Sequence, residues 1–157
     1  MSAAFVFSHP AHAIALGFGA GLAPRAPGTA GTLAAWAIGA AALAYLPAAL
    51  LLAATPVLFL AGIWACGVTG RDLGAADHGA MVWDEIVAFL AVLAVLPREL
   101  AWQAAAFVLF RGFDIAKPPP IRALERRLHG GFGVMLDDLL AAAYTLLVLA
   151  LFKRLVL

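Results

Sequence analysis

Between Arg25 and Arg71 the chain carries no charged residue. That gap is long enough for two membrane-spanning helices of about 20 residues each. The chain has 157 residues, of which 65% are hydrophobic and 12% charged, and its mean hydropathy is +1.00. A soluble domain of this size could not hide so much apolar surface. The expected class is therefore an all-α, polytopic integral membrane protein. It forms a single domain over residues 1–157, with four to five membrane helices paired as hairpins and a polar site at the interface. The net charge of +1 gives no sign of nucleic-acid binding. The single cysteine, Cys66, lies in an apolar run, so it offers neither a disulfide framework nor a thiolate metal site.

Glycine, proline and charge punctuate the rest. The lead, residues 1–22, is moderately apolar and suits a short helix at or partly inside the membrane surface. It lacks the basic start of a signal peptide. PRAPGTAGT (24–32) is rich in Pro and Gly and reads as an ordered loop. Spans are expected over 32–46 and 49–68, with a turn at Pro47. A polar loop covers 70–85, a third helix runs from 81 to Leu96, and PRE (97–99) separates it from a fourth over 99–111. Both of these are short for a bilayer of about 30 Å at about 1.5 Å per residue. AKPPP ends that hairpin, because proline cannot continue a helix and restrains the residue before it. A basic amphipathic segment, 121–129, follows. GGFGVMLDD (130–138) then leads into a last apolar helix, 139–152.

Each hairpin returns the chain to its starting side, so the loops 23–32, 70–85 and 111–138 share one face. Seven of the ten Lys and Arg residues lie in them: Arg25, Arg71, Arg111, Lys117, Arg122, Arg126 and Arg127. The positive-inside rule places that face in the cytoplasm. Lys153 and Arg154 fit this less well, since a fifth span carries them outward unless they snorkel.

Eight of the nine acidic residues belong to the same face. Asp84-Glu85, Asp114 and Asp137-Asp138 stand directly at the ends of apolar helices. A carboxylate in hydrocarbon costs roughly 2.5–3.5 kcal/mol on insertion scales, and a divalent cation is one compensation. The cluster lacks the His or Cys spacing of a zinc site, so a hard ion such as Mg²⁺ is the better match. Any one of these acids reads equally well as a cap on the positive end of a helix dipole. Five of them converging with Arg111 and Lys117 favour a site. Neighbours on a helix diverge by about 100°, so Asp84 and Glu85 are not expected to face one ion together, nor are Asp137 and Asp138.

Other motifs weigh little. CGVTGR is one residue short of a cysteine-phosphatase loop, no Walker loop is present, and GFGAG and GGFG read as turns or close backbone approach. The four histidines are scattered; His78 and His129 sit beside acidic loops as secondary candidates for proton transfer. The tryptophans read as membrane and packing residues.

Four blocks, APRAPGTAGT, DHGAMVWDEIVAF, FRGFDIAKPPPI and GGFGVMLDDLLA, together resemble the phosphatidylglycerophosphatase A family and occur in that family's order. The resemblance spans residues 17–142. It implies an Mg²⁺-dependent lipid phosphatase of the bacterial inner membrane that converts phosphatidylglycerophosphate to phosphatidylglycerol. It implies roles for Pro27, Gly28, Thr29, Gly31, Thr32, Asp77, Asp84, Glu85, Arg111, Asp114, Lys117, Pro118, Gly133, Asp137 and Asp138. Ala88 and Ala142 stand where the family usually has glycine. On this basis Asp77, Asp84, Glu85, Asp114, Asp137 and Asp138 are candidate metal ligands. Asp84, Glu85, Arg111, Asp114, Lys117, Asp137 and Asp138 are candidate catalytic residues. Arg25, Thr29, Thr32, Arg111 and Lys117 are candidates for holding substrate phosphate, while Arg122, Arg126 and Arg127 suit anionic membrane lipids. Direct attack by water and an aspartyl-phosphate route both stay open. Two alternatives stand beside this reading: a phosphatase for another lipid phosphate, and a non-enzymatic transporter or ion-binding protein. A transporter places its charges at the bilayer midplane, whereas here they gather at one face. Nothing in the sequence sets the oligomeric state.

Overall fold

The computed structural model describes residues 1–156. Its elements are helical: α1 (Ala3–Val6), α2 (Pro10–Ala15), a 3-10 segment (Gly17–Leu22), α3 (Pro27–Tyr45), α4 (Ala48–Leu73), α5 (Trp83–Val95), α6 (Leu100–Ala116), α7 (Ile121–Glu125) and α8 (Gly130–Val156). Three of them, α3, α4 and α8, are long and apolar enough to cross a membrane. At about 1.5 Å per residue, the 26 residues of α4 and 27 of α8 reach well beyond a hydrocarbon core of about 30 Å. The 13 residues of α5 and 17 of α6 fall short of it.

The short helices survive because they are enclosed. Every residue of α5 from Asp84 to Ala94 is buried, and α5 packs against α3, α4 and α8. A helix hydrophobic all round belongs in such a place. α6 lies along α8, and Phe110 on α6 meets Phe89 on α5 with ring centroids 5.5 Å apart. Far from the charged end, Trp36 Nε1 donates to Gln103 Oε1 at 2.6 Å, and Gln103 Nε2 donates to the Arg98 carbonyl at 2.8 Å. These bonds tie α3 to α6 and to the turn before it. The outer faces of α4 and α8 expose Leu50, Val57, Leu60, Leu147 and Leu151, as a lipid-facing surface should.

Three local expectations change. PGTAGT is the first part of α3, not a loop. Pro27 occupies its first turn, where its missing N–H costs nothing, and Gly31 lets the helix approach Val82, which a Cβ would meet at 2.7 Å. The last helix likewise begins at Gly130, eight residues before Asp138. Gly131 runs against the Ile63 carbonyl on α4, where any side chain would collide. Close packing here outweighs the poor helix propensity of glycine. The lead is more than a surface helix: Val6, Ala11, Ala15 and Leu16 are fully buried. The Ala15 carbonyl accepts the Val82 N–H at 2.8 Å, so the lead braces the start of α5.

Candidate active site

The polar ends of α5, α6 and α8 and the α4–α5 loop enclose a cavity of about 170 Å³. At roughly 30 Å³ per water, it has room for a phosphate group with a few waters. Asp77, Asp84, Glu85, Asp114, Lys117, Asp137 and Asp138 all line it. All six expected metal ligands therefore reach one place, from four separate stretches of chain.

Their roles divide by geometry. Asp84, Glu85 and Asp138 are buried, and one carboxylate oxygen from each lies within 4.8 Å of the other two. Asp84 and Glu85 thus do converge, against the expectation from helix geometry, because the longer glutamate arm closes the angle between neighbouring positions. Asp137 and Asp138 diverge as expected: Asp138 joins the cluster, whereas Asp137 accepts from Lys117 Nζ at 3.3 Å. Asp114 pairs with the Arg111 guanidinium one helical turn back. Asp77 is an exposed loop residue at the cavity wall, outside the three-carboxylate cluster.

The cations divide too. Arg111 Nη1 bonds Glu85 Oε1 at 3.4 Å as well as Asp114, and it does not line the cavity. It stands behind the carboxylates rather than among them. Lys117 does line the cavity, held between Glu125 Oε1 at 2.7 Å and Asp137 Oδ2 at 3.3 Å. Partial burial alone would lower its pKa; the hydrogen bond that Lys117 donates to Glu125 and the charges of Asp137 and Glu125 win, holding the ammonium above the ordinary lysine range. Lys117 caps α6 in a left-handed conformation, φ 43° and ψ 63°. A residue before proline avoids that region, so the surrounding fold holds it there at a cost on the order of 1–3 kcal/mol.

Besides Arg111, three of the expected phosphate contacts lie off the cavity, which leaves Lys117 as the one of the five that lines it. Arg25 is exposed and Thr29 is half-buried, and neither lines the cavity. Thr32 is fully buried, and its hydroxyl donates back to the Gly28 carbonyl at 2.9 Å. Once the segment is helical, such back-bonding is the usual fate of a threonine hydroxyl. His78 caps its own loop by accepting the Ala80 N–H at 3.2 Å, and His129 is exposed. One polar pair carried no local sequence signal. His12 Nε2 meets Asp72 Oδ2 at 2.9 Å across 60 residues of chain.

The donor set fits a hard cation. Asp84 Oδ1, Glu85 Oε2, Asp137 Oδ1 and Asp138 Oδ2 are buried and have no hydrogen-bond partner among the described residues. Buried carboxylate oxygens are normally satisfied. Oxygen-only donors suit Mg²⁺ or a similar ion rather than zinc or copper.

The fold and site together define a polytopic, all-helical membrane protein with an acidic, partly caged interfacial site. Residues 13–153 match the family model of phosphatidylglycerophosphatase A, and the chain belongs to that family. It is 48% identical over 142 residues to the Haemophilus influenzae phosphatidylglycerophosphatase A, covering 89% of this chain and 86% of the relative. It is 42% identical over 138 residues to the Escherichia coli phosphatidylglycerophosphatase A, covering 85% and 78%. A Bacteroides thetaiotaomicron protein provisionally named phosphatidylinositol-3-phosphatase is 44% identical over 144 residues, covering 87% and 89%. No solved structure matches the chain significantly.

Proposed function

We propose that this protein is a membrane phosphoric monoester hydrolase that removes the terminal phosphate of phosphatidylglycerophosphate and leaves phosphatidylglycerol. The observation that carries the proposal is the convergence of Asp84, Glu85 and Asp138 with Lys117 on one cavity at the polar end of a membrane bundle. The Haemophilus influenzae and Escherichia coli relatives carry the name of that activity. The acyl chains stay in the bilayer while the head group enters the cavity.

Mg²⁺ would be held by Asp84, Glu85 and Asp138, in the cavity that Asp137 and Asp77 also line. When bound, such an ion neutralises phosphate charge and lowers the pKa of a coordinated water. Lys117 supplies a fixed positive charge to the phosphate oxygens, as phosphoryl transfer relies on positioning and charge. Arg111 acts through others: it pairs with Glu85 and Asp114 and leaves Glu85 Oε2 free at the site. Asp137 aims Lys117. The relatives are bacterial, and the basic loops lie on the site's face. Both favour a place in the bacterial inner membrane with the cavity open to the cytoplasm.

A second lipid is favoured by one observation, the Bacteroides thetaiotaomicron relative with its phosphoinositide name. The test is phosphate release by purified protein from a panel of lipid phosphates in mixed micelles, with and without Mg²⁺. Preference for phosphatidylglycerophosphate supports the reading. Preference for a phosphoinositide replaces its substrate but keeps its chemistry, and release from none of them sinks it.

A further inference from the structure

Lys117 is the one cation among the described residues lining the cavity, yet its ammonium is already occupied by two carboxylates. Those partners differ in kind. Asp137 sits in α8 with its side chain 7% exposed, whereas Glu125 ends the five-residue α7 with its side chain 41% exposed. Asp137 is enclosed by its surroundings on a long packed helix. Glu125 can swing into water, and an exposed carboxylate is readily hydrated. Glu125 and Asp137 also line a second, smaller cavity of about 100 Å³ that shares the Asp77 wall with the first. The segment that carries Glu125 therefore borders the approach to the acidic cavity.

We propose that Glu125 is a displaceable latch: it holds Lys117 in the free protein, and the incoming phosphate takes its place on the ammonium. The inference rests on the phosphatase reading only in assigning Lys117 to phosphate. A dianionic phosphate entering beside so many carboxylates meets strong repulsion. Release of Glu125 removes one negative charge from Lys117 as the dianion brings two, which halves the charge added there. A phosphate that cannot dislodge the latch is left with only the third N–H of the ammonium, since Glu125 and Asp137 hold the other two. Glu125 thereby sets a threshold against weakly bound anions.

The experiment is equilibrium dialysis of radiolabelled inorganic phosphate against the full-length protein in detergent micelles with Mg²⁺, for wild type, Glu125→Gln, Glu125→Ala and Lys117→Met, and for Glu125→Gln combined with Lys117→Met. Removing an exposed ion-pair partner predicts phosphate binding about two- to fivefold tighter in both Glu125 variants. The lipid substrate's KM should fall by a similar factor with kcat little changed. The gain should vanish in the Lys117→Met background. Unchanged or weaker phosphate binding in the single variants overturns the latch, and so does an equal gain without Lys117, which would reflect general charge removal. The phosphatase reading fails separately, if wild type releases no phosphate from any lipid while binding inorganic phosphate as expected.

Discussion

Gly28 packs directly against the Glu85 carboxylate. A Cβ at this position would overlap Oε1 and come within 3.0 Å of the Arg111 guanidinium. The start of α3 thus acts as a wall that presses the Arg111–Glu85 pair into register. Gly28→Ala is expected to cut kcat about 10- to 100-fold, since small misplacements at a reacting centre carry penalties of that order. Gly112→Ala is the control. Its Cβ would meet nothing within 4 Å, and alanine in an exposed helix adds about 0.5–1 kcal/mol of stability. Parallel activity and thermal unfolding assays separate the two outcomes.

Asp138 and Asp77 line the same cavity but differ in rank. Asp138 is buried in the three-carboxylate cluster and Asp77 is not. With Mn²⁺ as a paramagnetic probe, Asp138→Asn is expected to weaken ion binding more than about 100-fold. Asp77→Asn should fall within the about 10- to 100-fold range typical of groups that act through a ligand, or below it. Equal losses would show that the cluster is not where the ion sits.

Lys117 should stay charged wherever the enzyme works. Its pKa is raised in the folded protein, so the stability it contributes is fully present below the unfolded lysine value of about 10.4 and is lost as pH rises through the folded value. An alkaline unfolding series should therefore show wild type losing an increment of stability at high pH that Lys117→Met lacks. In kinetics, Lys117→Met should raise KM at neutral pH, with no alkaline limb below about pH 10 assignable to this lysine in wild type.

The charged blocks were legible because each is local: Asp84-Glu85, Arg111 with Asp114 and Lys117, and Asp137-Asp138 stand out against apolar surroundings. Hairpin geometry placed them on one face; that Asp84 and Glu85 meet Asp138 in one cluster went against the helix-geometry expectation. What stayed hidden depends on packing. Gly28, Gly31 and Gly131 look like loop residues until another helix is seen pressed against each. Thr32 looks like a phosphate donor until its hydroxyl is spent within α3. The burial of the thirteen-residue α5 on all sides explains how a helix too short for a bilayer belongs in one.

His12 and Asp72 show the same limit, for nothing in the sequence joins them. His12 is buried, stacks on Phe5 with centroids 4.3 Å apart, and bonds Asp72 through Nε2. It clamps the amino-terminal segment to α4, and that segment braces Val82 ahead of Asp84. His12→Ala should destabilise the protein by about 1–3 kcal/mol. Limited proteolysis should then cut first within residues 1–22, and activity should fall less than with any cluster variant.

The central claim is that this membrane bundle hydrolyses a lipid phosphomonoester at Asp84, Glu85 and Asp138. Its most direct test is phosphate release from phosphatidylglycerophosphate by purified wild type and Asp84→Asn, side by side, in mixed micelles with Mg²⁺. The expected result is steady release by wild type, and a loss of at least about 100-fold in a folded Asp84→Asn protein. Release by Asp84→Asn at the wild-type rate, or none by wild type, would contradict it.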